Sequence, residues 1–307
     1  MTVAFALAER NVPRYTSYPT APHFSAAVTP ARYRQWLEAL PRAANLSLYI
    51  HVPFCEELCH YCGCNTRAVR KRGPVDAYAE ELLKEIALLR LLEGRRLTHL
   101  HWGGGTPSIL GPRWLRSIAE ALAAQFDLSD LKEHAIELDP RRIDPALVRA
   151  LKAIGVTRAS LGVQDTSEDV QRQIGRIQPF ALVERAAGWL RDAGIRDLNI
   201  DLMYGLPGQT VAHVRDSAAR AAALAPQRLA LFGYAHVPWF KTHQRLIDEA
   251  KLPGVSERLE QAQAAAETLA AAGYEAVGLD HFALPGDSLS LAARTNRLRR
   301  NFQGYTV

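Results

Sequence analysis

The chain has 307 residues, of which 48% are hydrophobic, so it can bury the core of one large domain. Its 37 basic and 32 acidic residues give a net charge of +5, and no basic and aromatic block points to nucleic acid. The N-terminus lacks the basic start of a secretory signal, and no segment has the roughly 18 consecutive apolar residues that a membrane span needs. We therefore expect a cytoplasmic protein that neither crosses a membrane nor binds nucleic acid.

The pattern of strands and helices predicts an α/β fold. Glycines that end Ala- and Leu-rich stretches mark joints between helices and strands, because glycine readily adopts the left-handed conformation that stops a helix. Such joints lie at Gly94, Gly155, Gly194 and Gly273. The predicted strands are Leu46–Val52, Leu97–Trp102, Ala135–Leu138, Arg158–Gly162, Asp197–Leu202 and Arg228–Gly233. Six strands alternating with helices predict a parallel sheet in an incomplete (β/α)6 barrel, with a doubly wound sheet as the alternative.

We predict three regions along the chain. Residues 1–45 form an N-terminal extension, residues 46–280 form the partial barrel, and residues 281–307 begin a C-terminal region.

The four cysteines of the chain all lie in one window, from Cys55 to Cys64, with the spacing C-x3-C-x2-C-x-C. Zinc sites favour two separated pairs of ligands, and disulfide frameworks belong mostly to small secreted domains. In a reducing compartment, closely spaced thiolates most often bind an iron–sulfur cluster. If Cys55, Cys59 and Cys62 bind a four-iron cluster, one iron is left without a protein ligand. Zinc, and an electron-transfer cluster with Cys64 as fourth ligand, remain the alternatives.

Unusual residues follow the other predicted strands, at the carboxyl ends where parallel α/β folds place their chemistry. Three glycines that allow close approach of a ligand follow the second strand. Acids or amides follow the next three strands. The segments are Trp102-Gly-Gly-Gly-Thr-Pro107, Glu137-Leu-Asp139, Gln164-Asp165 and Asp201-Leu-Met-Tyr-Gly-Leu-Pro207.

These motifs resemble a known enzyme family. The cysteine spacing resembles the signature of radical S-adenosylmethionine (SAM) enzymes, and the chain from Arg14 to Tyr305 resembles the oxygen-independent coproporphyrinogen III oxidases within that superfamily. The resemblance also implies the partial barrel. The segments that carry it are Arg14-Tyr-Thr-Ser-Tyr-Pro-Thr20, Tyr49-Ile-His-Val-Pro-Phe-Cys55, Tyr61-Cys-Gly-Cys-Asn65, His101-Trp-Gly-Gly-Gly-Thr-Pro107, Gly162-Val-Gln164, Asn199-Ile-Asp-Leu-Met-Tyr-Gly-Leu-Pro207, Tyr234-Ala-His236, Asp280-His-Phe282 and Asn301-Phe-Gln-Gly-Tyr305.

The resemblance implies a set of binding residues. Cys55, Cys59 and Cys62 bind a [4Fe-4S] cluster, and Cys64 binds no iron. Two SAM molecules are expected per chain. The first, on the open iron, is contacted by Tyr49, Gly104 and Glu137. The second is contacted by Tyr61, Gly105, Thr106, Gln164, Arg176, Asp201 and Ala235. No side chain is assigned as a catalytic acid or base. Tyr61 replaces a more usual phenylalanine, and the residues beside Arg176 depart from the family motif.

The implied reaction is the oxidative decarboxylation of two propionates of coproporphyrinogen III to vinyl groups, through a 5′-deoxyadenosyl radical made from SAM. Its implied partners are the tetrapyrrole substrate and an electron donor of flavodoxin or ferredoxin type, and we expect a monomer. Family members continue past Tyr305 into a helical domain, so we expect a shortened chain. Candidate partners of the propionates are Arg67, Arg70, Lys71, Arg72 and the arginines from Arg294 to Arg300. The alternatives are a haem-binding chaperone and a radical SAM enzyme that acts on haem.

Overall fold

The computed structural model of the chain describes residue 19, residues 23–301 and residues 304–307. The predicted segment Arg14–Thr20 lies outside the described residues, apart from Pro19. The helices are α1 Pro30–Glu38, α2 Arg72–Leu88, α3 Gly111–Gln125, α4 Pro145–Ala153, α5 Glu168–Gln173, α6 Phe180–Asp192, α7 Val211–Ala223, α8 Val255–Ala271 and α9 Ser288–Arg294. The strands are β1 Leu46–Val52, β2 Phe54–Cys55, β3 Arg67–Ala68, β4 Leu97–Gly104, β5 Glu133–Leu138, β6 Arg158–Gln164, β7 Asp197–Tyr204, β8 Arg228–Gly233, β9 Glu275–Val277, β10 His281–Ala283, β11 Arg299–Asn301 and β12 Gly304–Thr306.

One eight-stranded sheet organises the fold, in the order β1-β4-β5-β6-β7-β8-β10-β9. The first six strands of that order run parallel, as predicted, because a helix returns the chain after each of them. β1 and β9 lie at the two edges, so the sheet is open over the part of the chain that is described. The prediction of an incomplete (β/α)6 barrel is confirmed.

The two faces of the sheet have opposite character. Trp102, Ile136 and Ile200 have no exposed surface and pack into the core beneath the helices. Helix α3 contributes to that core through Trp114, Leu115, Ile118 and Leu122, which recur at helical spacing on one side. Side chains that alternate with the core residues point to the other face. There the rings of Tyr49 and His101 stack at 5.6 Å. The face that the helices leave free is therefore polar, as in a binding cavity.

An antiparallel extension follows the six parallel strands. β10 pairs antiparallel with β8, and β9 pairs antiparallel with β10. Asp287, the N-cap of α9, accepts hydrogen bonds from Arg228 Nε at 2.9 and 3.0 Å. The sheet therefore includes β10 and β9 beside the six parallel strands, because β10 hydrogen-bonds to the last parallel strand. None of the described helices combines the length and apolar character needed to cross a bilayer.

Candidate iron–sulfur and SAM site

The cysteine loop begins where β2 ends and is closed at its base. Phe54 and Cys55 pair with Arg67 and Ala68 of β3, and Val69 N donates to Cys55 O at 2.8 Å. The four cysteines are free, with Cys59 buried and Cys64 exposed. The thiols are therefore presented from one compact loop at the carboxyl end of the sheet.

Hydrogen-bond donors surround the sulfur atoms of the loop. Thr106 and Thr66 hydroxyls donate to Cys55 Sγ at 3.3 and 3.6 Å. Arg176 Nη1 donates to Cys59 Sγ at 3.5 Å, and Arg141 Nη2 lies 3.9 Å from the same atom. Donors of this kind stabilise thiolates, which are the form that binds iron.

Cys62 and Cys64 interact with each other. The hydrogen bond between them lowers the pKa of Cys62 to about 6 and raises that of Cys64 well above its usual value. The two sulfur atoms therefore lie within hydrogen-bonding distance of each other.

A distant segment holds the cysteine loop by its carbonyl groups. Gln244 Nε2 donates to Tyr61 O at 2.9 Å and Lys241 Nζ donates to Cys64 O at 2.7 Å. His243 Nε2 lies 2.7 Å from Cys62 O. These contacts join positions about 180 residues apart and were not predicted, since no local pattern signals them.

The glycines after β4 bring the backbone against the same site. Gly104 has a φ of +111°, and a Cβ there would lie 2.8 Å from the His51 ring. A Cβ on Gly105 would lie 2.4 Å from both Phe54 O and Thr66 Oγ1. Since real Cβ atoms do not approach so closely, only glycine fits between the cluster loop and the sheet.

Glu137 lies beside these glycines. Gly104 N donates to Glu137 Oε2 at 3.1 Å, and His101 Nε2 lies 3.1 Å from Glu137 Oε1. Burial lowers the pKa of His101, but the hydrogen bond and charge of Glu137 outweigh it and raise the pKa overall. Burial, followed by the charge of Glu137, raises the pKa of Tyr49. Of the predicted contacts of the first SAM, all three therefore lie together.

Asp201 is held on the same face by two polar neighbours. Ser160 Oγ donates to Asp201 Oδ2 at 3.0 Å, and Asn199 Nδ2 donates to Asp201 Oδ1 at 2.7 Å. Burial, together with the charge of Glu137, raises the pKa of Asp201 to about 7. A carboxyl whose pKa is raised in this way, at the open end of a sheet, is typical of a functional site.

The remaining predicted residues also converge here. Gln164 ends β6 with a φ of +70°, which is unusual for a residue with a side chain. Arg176 is buried and donates to Gly162 O at 2.6 Å, whereas its Nε has no hydrogen-bond partner. Ala235 O and Tyr61 O both accept from Gln244 Nε2, so the two residues lie close together.

The predicted basic residues divide into two groups. Arg70, Lys71 and Arg72 line a cavity of about 560 Å³ beside Cys55. Arg67 lies over the Phe54 ring, and Arg294 is paired with Glu275 at 2.6 Å. Arg70, Lys71 and Arg72 therefore lie near the candidate cluster. Like Arg67 and Arg294, Arg72 also has structural contacts, because its Nε pairs with Asp76 at 2.8 Å and its Nη1 donates to Ile109 O at 2.7 Å.

The donor set of the cysteine loop fits an iron–sulfur cluster. Three thiols of one loop, with donors aimed at two of them, match the ligands of a cubane cluster. The backbone at Gly104 and Gly105 and the unpartnered Nε of Arg176 provide polar groups for a ligand beside the cluster.

Comparison with known proteins decides the family. The model of the radical SAM superfamily matches residues 49–221. The chain belongs to the radical SAM superfamily. It is 49% identical over 307 residues to the oxygen-independent coproporphyrinogen III oxidase of Bradyrhizobium diazoefficiens, covering 99% of this chain and 68% of that protein. It is 47% identical to the protein of the same name from Paracoccus denitrificans, covering 98% of this chain and 67% of that protein.

A solved structure agrees with these relatives. Coproporphyrinogen III oxidase (HemN) of Escherichia coli, described as a radical SAM enzyme, superimposes with a TM-score of 0.90 at 41% identity, covering 95% of this chain and 67% of that one. The chain therefore belongs to the oxygen-independent coproporphyrinogen III oxidase family, of whose members it spans about two thirds, and the predicted [4Fe-4S] and SAM cofactors are those of the family.

Proposed function

We propose that the chain catalyses the oxygen-independent oxidative decarboxylation of two propionate side chains of coproporphyrinogen III, giving the two vinyl groups of protoporphyrinogen IX. The observation that carries the proposal is the convergence of the cysteine loop, the glycine loop, Glu137 and Asp201 at one open end of the sheet. The family relationship supports coproporphyrinogen III, and not haem, as the substrate.

In the proposed site, Cys55, Cys59 and Cys62 hold the cluster, and Cys64 holds no iron. When bound, the cluster and SAM supply the 5′-deoxyadenosyl radical that removes a hydrogen atom from each propionate. Tyr49, Gly104 and Glu137 contact the first SAM. Glu137, a partly exposed carboxylate beside Gly104, is suited to accept hydrogen bonds from an ammonium group, and Gly104 lets the backbone approach the ligand.

The remaining residues are proposed to bind a second SAM. Asp201 is suited to accept hydrogen bonds from ribose hydroxyls, and the free Nε of Arg176 is a buried donor for a carboxylate or carbonyl. Thr106 donates to Cys55 Sγ and so joins this region to the cluster. The proposed contacts are Tyr61, Gly105, Thr106, Gln164, Arg176, Asp201 and Ala235.

The substrate is an anion, and the cavity beside Cys55 is rich in basic side chains. Arg70, Lys71 and Arg72 are the proposed partners of its propionates. We further propose that the enzyme is a cytoplasmic monomer that takes its electrons from a flavodoxin or a ferredoxin. Residues 281–307 are proposed to begin a C-terminal region.

The test is an anaerobic assay. The reconstituted chain is mixed with SAM, a reductant and coproporphyrinogen III, and the products are separated by mass. Loss of two carboxyl groups with formation of vinyl products is expected. Tight binding of haem together with no decarboxylation would contradict the proposal and favour a haem-binding chaperone.

A further inference from the structure

Two arginines from separate parts of the chain reach the sulfur of one cysteine. Arg176 Nη1 lies 3.5 Å and Arg141 Nη2 lies 3.9 Å from Cys59 Sγ. Arg176 follows α5, and Arg141 lies in a short 3-10 turn after β5. Cys59 is the buried cysteine of the loop, so these contacts are shielded from water.

Asp139 fixes both guanidinium groups. It accepts from Arg141 Nη2 at 2.6 Å and from Arg141 Nε at 3.0 and 3.2 Å. It also accepts from Arg176 Nη2 and Nη1 at 3.2 and 3.3 Å. The side chains of Asp139 and Arg176 are only 10% and 8% exposed. Burial raises the pKa of Asp139, but its arginine partners outweigh that effect and lower it overall.

The charges of this group do not balance by themselves. One carboxylate faces two guanidinium groups, and a buried charge is costly unless it is paired. The sulfur of Cys59 supplies the second negative partner when it is a thiolate. Cys55 differs, because the neutral hydroxyls of Thr106 and Thr66 donate to its sulfur. Of these two sulfur atoms, that of Cys59 therefore lies beside the positive charge.

We propose that Arg141 and Arg176, oriented by Asp139, raise the reduction potential of the cluster through Cys59. A positive charge and a hydrogen bond at a ligand sulfur stabilise the added electron. Asp139 is then a positioning residue that also moderates the positive charge. The proposal rests on cluster binding and is independent of which substrate the enzyme uses.

The test is a titration of the reconstituted 307-residue chain, without SAM, in which dithionite supplies the electron and paramagnetic resonance follows the reduced cluster. Arg141→Met should lower the reduction potential. Asp139→Asn should raise it, because one negative charge is lost beside the two arginines. Shifts of the reduction potential in opposite directions would distinguish electrostatic control from loosening of the cysteine loop, which would not reverse direction between the two variants.

Arg142→Met is the matched control. Arg142 is the next residue, and it pairs with Glu56 at 2.7 Å on a half-exposed surface instead of reaching a cysteine. Its removal should shift the potential much less than removal of Arg141. If Arg141→Met takes up too little iron, Arg141→Gln gives the same comparison, since it retains a donor but loses the charge. Equal shifts for Arg141 and Arg142 variants, or a lower potential for Asp139→Asn, would overturn the proposal.

Discussion

Charged side chains are buried or partly buried at both ends of the parallel strands, but they are arranged differently. At the amino ends, Arg228 binds Asp287 at 2.9 Å and Glu133 at 3.1 Å, and Arg158 binds Glu133 at 2.9 Å. At the carboxyl ends, Glu137 and Asp201 lie near each other, and the guanidinium of Arg176 reaches a sulfur.

The pKa shifts show what this difference means. Burial alone would raise the pKa of Glu133, but Arg228 and Arg158 lower it overall, so the charged form is stable in the fold. Burial and the charge of Glu137 raise the pKa of Asp201 to about 7, so its charged form is poorly compensated. Opposite charges paired within the protein stabilise the fold, whereas incompletely compensated groups are characteristic of a site that binds a ligand.

The largest expected effect is loss of the cluster, which should distinguish Cys59 from Cys64 at the carboxyl ends of the strands. Cys59→Ser should abolish cluster binding because a hydroxyl is a poor substitute for a thiolate ligand of iron. Cys64→Ser should retain it. Iron content and visible absorption after anaerobic reconstitution check both variants. Equal loss of iron in the two would contradict the assignment of three ligands.

At the amino ends, Arg228→Met should destabilise the fold without removing a cluster ligand. Breaking a buried pair by removing one partner costs about 3–5 kcal/mol in the free energy of unfolding. Arg220→Met is the control, because Arg220 pairs with Asp216 on the exposed side of α7 and such pairs contribute about 0–1 kcal/mol. Urea unfolding measures the stability of both variants, and equal losses of stability would contradict the difference between the buried and the exposed pair.

At the carboxyl ends, Gly104→Ala should lower the stability of the fold because the backbone conformation at this position disfavours a side chain. Its φ of +111° and the contact of a new Cβ with His51 predict a cost of about 1–3 kcal/mol, with weaker SAM binding. Gly188→Ala, inside α6 with no atom within 4 Å of the new Cβ, should instead stabilise the chain by about 0.5–1 kcal/mol. Urea unfolding and SAM titration compare the two variants. An unchanged stability in Gly104→Ala would refute the steric argument.

A further expected effect is a change in the pH dependence of stability at Asp201. Its pKa of about 7 in the fold exceeds the value of about 3.9 for an unfolded chain. Between about pH 4 and 7 the fold therefore retains a proton that the unfolded chain releases, and this contribution to stability falls as pH rises. Asp201→Asn should gain stability relative to the original chain over that range.

Urea unfolding of the cluster-free chain at several pH values measures this gain. Asp192, exposed at the end of α6, provides the control variant Asp192→Asn. The account of Asp201 would be wrong if the two variants gained equally with pH.

The parallel strands could be predicted because each has its own local signal. Two of the six predicted strands match the structure at both ends, and the other four are each two residues longer at one end, as at β4, which continues through Gly103 and Gly104. Those glycines suggest a turn in the sequence, but pairing with β1 keeps both of them within the strand. β10 was missed as part of the sheet because three residues carry too little pattern.

The site was predictable as a set of residues but not as a network. Strand ends bring Glu137, Gln164 and Asp201 together by topology alone. The contact of Arg176 with Cys59 spans 117 positions, and Lys241 reaches Cys64 across 177. No local periodicity in the sequence predicts contacts between residues so far apart, so the side chains that hold the cysteine loop could be identified only from the structure.

Cleavage of SAM by the reconstituted chain, with dithionite and no tetrapyrrole, tests the central claim most directly. The account predicts methionine and 5′-deoxyadenosine in equal amounts from the original chain and neither product from Cys59→Ser. A chain that carries a reducible four-iron cluster but neither binds nor cleaves SAM would contradict the assignment of the carboxyl ends as a radical SAM site.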